Sequence, residues 1–90
     1  MTAVARDVVR KPEDYVDEIK ALTMRRYPDA ELRVREIRPR EFQIDVIGDF
    51  EDSYKVSKLT AGRRTDILVD YDVWIIVMPI RRSELAEIED

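Results

Sequence analysis

Between Pro12 and Pro28 the apolar residues recur at helical spacing. Tyr15, Ile19 and Leu22 share one stripe with Val16 beside them, and Asp17, Glu18 and Lys20 take the other side. Pro12 suits a first helical turn, as do the acids Glu13 and Asp14 behind it, and Pro28-Asp29 stops the run near Arg26. The period then falls to two. From Glu31 to Ile37, Leu32 and Val34 point one way and Arg33 and Arg35 the other, the mark of a half-buried strand. Arg38-Pro39-Arg40 reads as a turn, because proline cannot join a central ladder. From Phe42 to Ile47 a second strand places Phe42, Ile44 and Val46 on one face and Gln43, Asp45 and Ile47 on the other, and a hairpin joins the two strands.

Gly48-Asp49 breaks this strand, and Asp52 or Ser53 caps a second helix with Val56, Leu59, Arg63 and Ile67 along one face. Gly62 lies inside that helix at a cost of about 1 kcal/mol against alanine, so a break is expected there. Val73 to Met78 is a third strand, apolar on both faces, which predicts a strand covered on both sides or central in its sheet; Pro79 closes it. Ser83 caps a short acidic tail helix, Glu84 to Glu89, and Met1 to Lys11 forms a loose N-terminal tail. The expected fold is α+β: one domain over residues 1–90, with tails at 1–11 and 81–90, and a small mixed sheet of about three strands packed with two helices in the order α-β-β-α-β.

Composition narrows the chemistry. The 90 residues include no cysteine and no histidine, which removes thiolate nucleophiles, the commonest zinc ligands and every Ser–His–Asp or Cys–His arrangement. Charged residues reach 40% with a net charge of −4, against the basic balance of a general nucleic-acid binder. No apolar run approaches the roughly 20 residues of a membrane span, and the N-terminus has no apolar signal region. The expected setting is cytoplasmic, with no membrane partner.

The stretch Ile44-Asp45-Val46-Ile47-Gly48-Asp49-Phe50-Glu51-Asp52 resembles the aspartate-bearing strand and following acidic turn of the minimal nucleotidyltransferases, the antitoxin-like members of the polymerase-β superfamily. Asp70-Tyr71-Asp72 with Val73 to Pro79, followed by Arg82-Ser83-Glu84-Leu85, resembles that family's later strand and the segment after it. The resemblance implies a nucleotidyltransferase-like fold and, in intact members, Mg²⁺ and a nucleoside triphosphate. It covers about half of the chain. Two departures stand out. The family's Gly-Ser phosphate loop is replaced by Arg38-Pro39-Arg40-Glu41, which has no glycine to present backbone N–H groups to phosphate. The family's paired carboxylates fall at Gln43 and Asp45, and a neutral amide is a poorer ligand for a hard dication. A third carboxylate is expected near Trp74, with Asp72 close by.

These departures make the leading expectation a catalytically degenerate nucleotidyltransferase-like domain, leaning away from enzyme activity and acting as a protein-binding or regulatory module. The resemblance implies a small all-helical HEPN-type protein as its partner, antitoxin to toxin. Asp45 reads first as a solvated residue on an open sheet face and second as a remnant metal ligand, with Asp72 or Asp49 as its companion. The expected interaction surface holds Gln43, Asp45, Trp74, Arg33 and Arg35; Trp74 alone reads first as core and second as an interface anchor. Tyr15, Tyr27, Tyr54 and Tyr71 are expected at the core's rim. One alternative is an active Mg-dependent nucleotidyltransferase. Another is a KH-like RNA-binding module: Arg33, Arg35, Arg38 and Arg40 form a basic stripe with Arg63 and Arg64, and Gly62-Arg63-Arg64-Thr65 resembles a G-x-x-G loop without its last glycine. Against it, the stretch from Thr65 to the last strand looks too short for a helix, and the stripe has no interleaved aromatic residues to stack bases.

Overall fold

The helical stripe of the first segment folds as its spacing dictates. In the computed structural model, which describes residues 10–84, α1 spans Pro12–Arg26. The Asp14 carboxylate accepts the Lys11 N–H at 2.8 Å, and Arg25 and Arg26 sit in the last turn, where positive charge suits exposed carbonyls. Tyr15, Val16 and Ile19 are buried, and Thr23 joins them by donating its hydroxyl to the Ile19 carbonyl at 2.9 Å. Tyr15 is therefore core rather than rim.

Strands β1 (Glu31–Arg38) and β2 (Glu41–Gly48) form the expected hairpin, and β3 (Trp74–Arg81) adds to β2 in parallel, giving the order β1-β2-β3. The central strand is β2. Its alternation is decisive: Phe42, Ile44 and Val46 enter one core cluster with Ile75 and Val77 of β3. α1 joins the same cluster, as do α2 (Ser53–Leu59) through Val56 and α3 (Ala61–Tyr71) through Ile67. These three helices thus pack on one face of the sheet.

The third strand departs from expectation in two ways. It lies at a sheet edge, and Pro79 is inside it, opposite Val46. The Trp74 N–H donates to the Arg40 carbonyl at 2.8 Å, so Trp74, Ile76, Met78 and Ile80 turn their backbone groups toward β2. Pro79 turns outward, and its missing N–H costs the ladder nothing. The apolar run is continuous for a reason other than double cover. One set of side chains enters the core, and the other lies on the side away from the described helices, where Trp74 and Met78 have 53% and 45% exposure.

The predicted second helix is two helices. They meet at Thr60, two residues before Gly62, and Asp52 caps the first by accepting the Tyr54 N–H at 3.0 Å. Arg64 stabilises the joint. It donates to the Ser57 carbonyl at 2.7 Å, the Thr60 hydroxyl at 3.0 Å and the Ile75 carbonyl at 3.3 Å. Burial lowers the pKa of this arginine, and its hydrogen bonds offset the desolvation of a group that stays charged at neutral pH. Gly62 lies inside α3 with no positive φ, and a Cβ there would meet nothing. The stretch judged too short for a helix belongs to this 11-residue α3, which begins upstream of Thr65. The acidic tail beyond Glu84 and the N-terminal tail before Arg10 lie outside the described residues.

The β1–β2 turn is tied to the far end of this crossover. Ile37 is the extra residue of a bulge, and Pro39-Arg40 makes the two-residue connection. Arg40 has φ 70°, a left-handed position that usually favours glycine. Its side chain supplies the reason for an arginine: Nε donates to the Asp72 carbonyl at 2.9 Å and Nη2 to the Tyr71 carbonyl, closing the C-terminus of α3. Asp72, itself at φ 57°, is the residue on which that helix ends.

A second tie links α1 to α3. Glu18 accepts a forked pair of hydrogen bonds from Arg63, with Nη2 to Oε1 at 3.1 Å, and Arg10 reaches the same carboxylate at 3.2 Å. Tyr15 stacks on Tyr71 with ring centroids 4.8 Å apart. The hydrogen bond from Arg63, more than any other contact, holds the Glu18 carboxyl below its ordinary range, against the opposing effect of burial. A lowered carboxyl pKa adds stability above the unfolded-state value and loses it as pH falls through the folded-state value.

Three stability outcomes follow. Gly62→Ala should raise the urea midpoint, worth about 0.5–1 kcal/mol, because the helix accepts a Cβ in open space. Arg40→Ala should destabilise by about 1–3 kcal/mol, and Arg40→Gly by less, because glycine relieves the backbone while losing the same cap; equal losses would show that the φ value carries no cost. Glu18→Gln should cost about 0.5–1 kcal/mol at neutral pH for this partly exposed pair, with the gap from wild type closing as pH falls below about 4.5. A gap constant with pH in urea titrations would remove Glu18 as its source.

Candidate interaction surface

The pleat brings the sequence-selected residues to one side. Across the face opposite the described helices the register aligns Arg35 with Gln43 and Ile76, then Arg33 with Asp45 and Met78, then Glu31 with Ile80 and with Ile47, which is buried at 1% exposure. Trp74 completes the same face opposite Glu41. Gln43, Asp45, Trp74, Arg33 and Arg35 therefore share one surface, as the alternation requires. What the sequence left open is its division. The β1 side is charged and the β3 side apolar, with the polar pair of β2 between them.

Within that surface the polar side chains engage one another. The Gln43 amide donates to Asp45 Oδ1 at 2.8 Å, Glu31 accepts from Arg33 at 2.8 Å, and Arg38 lies 3.5 Å from Glu41. Trp74 also borders a small hollow of about 130 Å³ at the sheet edge, with Leu68 and Arg64 of α3 on its other side. Its 53% exposure overturns the core reading. The parity of the strand sets its side: Ile75 and Val77 are the inward residues, so Trp74 faces the other way.

The same geometry tests the carboxylates for Mg²⁺. Asp45 pairs in register with Met78, whereas Asp72 precedes Trp74 at the opposite end of the ladder, more than four strand residues or about 13 Å away. Asp49, at the Asp45 end, lies 3.6 Å from Arg82. Among the described residues no group of three carboxylates converges. This donor set does not fit a two-metal centre, which needs several oxygens on shared ions.

The basic stripe is dispersed. Arg40 closes α3, Arg63 binds Glu18, Arg64 is drawn into the helix joint and Arg38 pairs with Glu41. Arg33 and Arg35 alone remain side by side on the sheet. Gly62 and its neighbours are helical, so no loop of free backbone N–H groups stands where a G-x-x-G clamp would.

One further hollow, about 250 Å³, opens beyond the C-terminal ends of β2 and β3, the usual ligand position of open α/β sheets. It is lined by residues including Arg26, Tyr27, Asp49, Phe50 and Arg82. The Phe50 ring packs edge-on to Tyr27 and folds over Gly48, where a Cβ would come within 2.8 Å of it. Arg82 is held there by Asp49 and by the Asp29 carbonyl at 3.0 Å, so its charge is already engaged.

No protein family, curated protein or solved structure matches this chain. Among the described residues no helix is long and apolar enough to cross a membrane.

The sole tryptophan makes the surface easy to test. Acrylamide should quench Trp74 efficiently in the folded protein; a fluorophore shielded until urea unfolds the chain would place it elsewhere.

Proposed function

We propose that this chain is a catalytically degenerate, nucleotidyltransferase-like domain that acts as a protein-binding or regulatory module through the sheet face opposite the described helices. The observation that carries the reading is Trp74. A large aromatic residue stands half-exposed beside exposed Met78, next to the Gln43–Asp45 pair and the neighbouring arginines Arg33 and Arg35. An aromatic anchor beside polar and arginine contacts is the composition of protein-binding hot spots. The family resemblance supplies the partner class, a small all-helical protein of HEPN type. A helix of such a partner would set apolar side chains on Trp74 and Met78 and acidic ones toward Arg33 and Arg35.

The geometry supports the non-catalytic form of the reading over the active one. A two-residue turn occupies the place of a phosphate loop, and Asp45 bonds to an amide instead of facing a second carboxylate. Dispersal of the arginines likewise disfavours RNA binding through a basic stripe.

Affinity capture from a native extract with wild type and Trp74→Ala tests the module. A specific partner should be retained by the wild type and bound at least about tenfold more weakly by the variant, the loss expected of a hot spot; equal retention would exclude this face. A thermal-shift titration separates the enzyme reading, since Mg-ATP at 100 times its Kd would add about 2.7 kcal/mol of stability. We expect no shift at millimolar Mg-ATP.

A further inference from the structure

The two edges of the sheet are treated differently by the rest of the molecule. On the outer edge of β3, the backbone groups of Ile75, Val77, Pro79 and Arg81 point away from β2. Arg64 takes the Ile75 carbonyl at 3.3 Å, Pro79 has no N–H to offer, and Glu84 Oε1 accepts the Arg81 N–H at 3.2 Å. A strand approaching this edge would find its ladder interrupted in three places, the usual protection of an exposed edge.

Among the described residues the outer edge of β1 has no such device. The register makes Glu31, Arg33 and Arg35 the residues bonded to β2, so Leu32, Val34 and Glu36 present their N–H and C=O groups outward. Among the described residues no side chain bonds to them. The strand is regular up to the bulge at Ile37, and Val34 at its middle is 44% exposed. Its charges decide which strand can add. In antiparallel pairing with a second copy, an axis at Arg33, Val34 or Arg35 sets an arginine directly against an arginine, which is unfavourable on a sheet face. An acidic strand meets no such conflict: alternate carboxylates would lie opposite Arg33 and Arg35, and apolar residues between them would meet Leu32 and Val34. Arg33 already bonds Glu31 at 2.8 Å, and the added carboxylates would still face the paired positive charges of Arg33 and Arg35.

We infer that the β1 edge accepts an extended segment with acidic residues at alternate positions, added as a fourth strand. The inference is independent of the proposed partner face, since it uses the backbone of β1 and not the side chains of β3. Fluorescence anisotropy with a labelled seven-residue peptide of alternating Glu and Val tests it, beside a Lys/Val counterpart and a version N-methylated at alternate amides. The Glu/Val peptide should bind at least about tenfold more tightly than either, because opposite-charge pairs and ladder hydrogen bonds are both needed. The double variant Arg33→Glu with Arg35→Glu should reverse the preference toward the Lys/Val peptide. Val34→Pro should abolish binding while keeping the native circular dichroism, since its lost N–H faces outward; if that variant unfolds, the N-methylated peptide still decides. No binding of the Glu/Val peptide, or binding indifferent to N-methylation, would overturn the inference. So would amide protection at Leu32, Val34 and Glu36 that rises with protein concentration, which would give the edge to a second copy.

Discussion

Two neighbouring parallel strands cannot be joined by a tight turn, and that constraint organises this molecule. The chain leaves β2 at Gly48 and must return to the opposite end of the sheet before β3 can begin at Trp74. It does so through α2 and α3, which lie on the face already marked by Phe42, Ile44 and Val46, and α1 packs beside them. With these three helices on one side, Ile75 and Val77 become core, while Trp74 and Met78 stay exposed. The exposure of Trp74 and Met78 is thus a result of topology.

Much of this was legible in the amino-acid order. The stripe of Tyr15, Ile19 and Leu22, the alternation across Phe42 to Ile47 and the turn chemistry around Pro39 each encode a local period, and each element formed where that period lies. The errors share a cause. Val73 to Met78 is uniformly apolar, so it carries no period to show which side is inward, and only the partner strand assigns its parity. Pro79 likewise breaks a strand only when its backbone faces a neighbour. The sequence points to a helix joint at glycine because glycine is the weakest helix former after proline, yet a half-buried arginine that gathers the Ser57 and Ile75 carbonyls fixes it at Thr60 instead.

The grouping of Gln43, Asp45, Arg33, Arg35 and Trp74 was partly readable, because two strands of known parity place four of them together. The fate of the other arginines was not. Six basic residues look alike in sequence, but Arg40, Arg63 and Arg64 find carbonyl or carboxylate acceptors 30 to 45 positions away or across a helix joint. Such long-range acceptors leave no local signature. Their effect on the molecule is to turn an apparent anion-binding stripe into internal bracing, leaving two arginines beside a hydrophobic strip.

The clamp formed by Arg40 has a practical side for anyone seeking to re-equip this scaffold. A glycine-rich insertion between β1 and β2 would resemble a modest surface edit, since longer loops on exposed turns are normally cheap. Here that turn also holds the last carbonyls of α3 and supplies the acceptor for the Trp74 N–H. Lengthening it would loosen the end of the crossover and the first rung of the parallel ladder together, so a transplanted phosphate-gripping segment would have to bring its own substitute for that guanidinium.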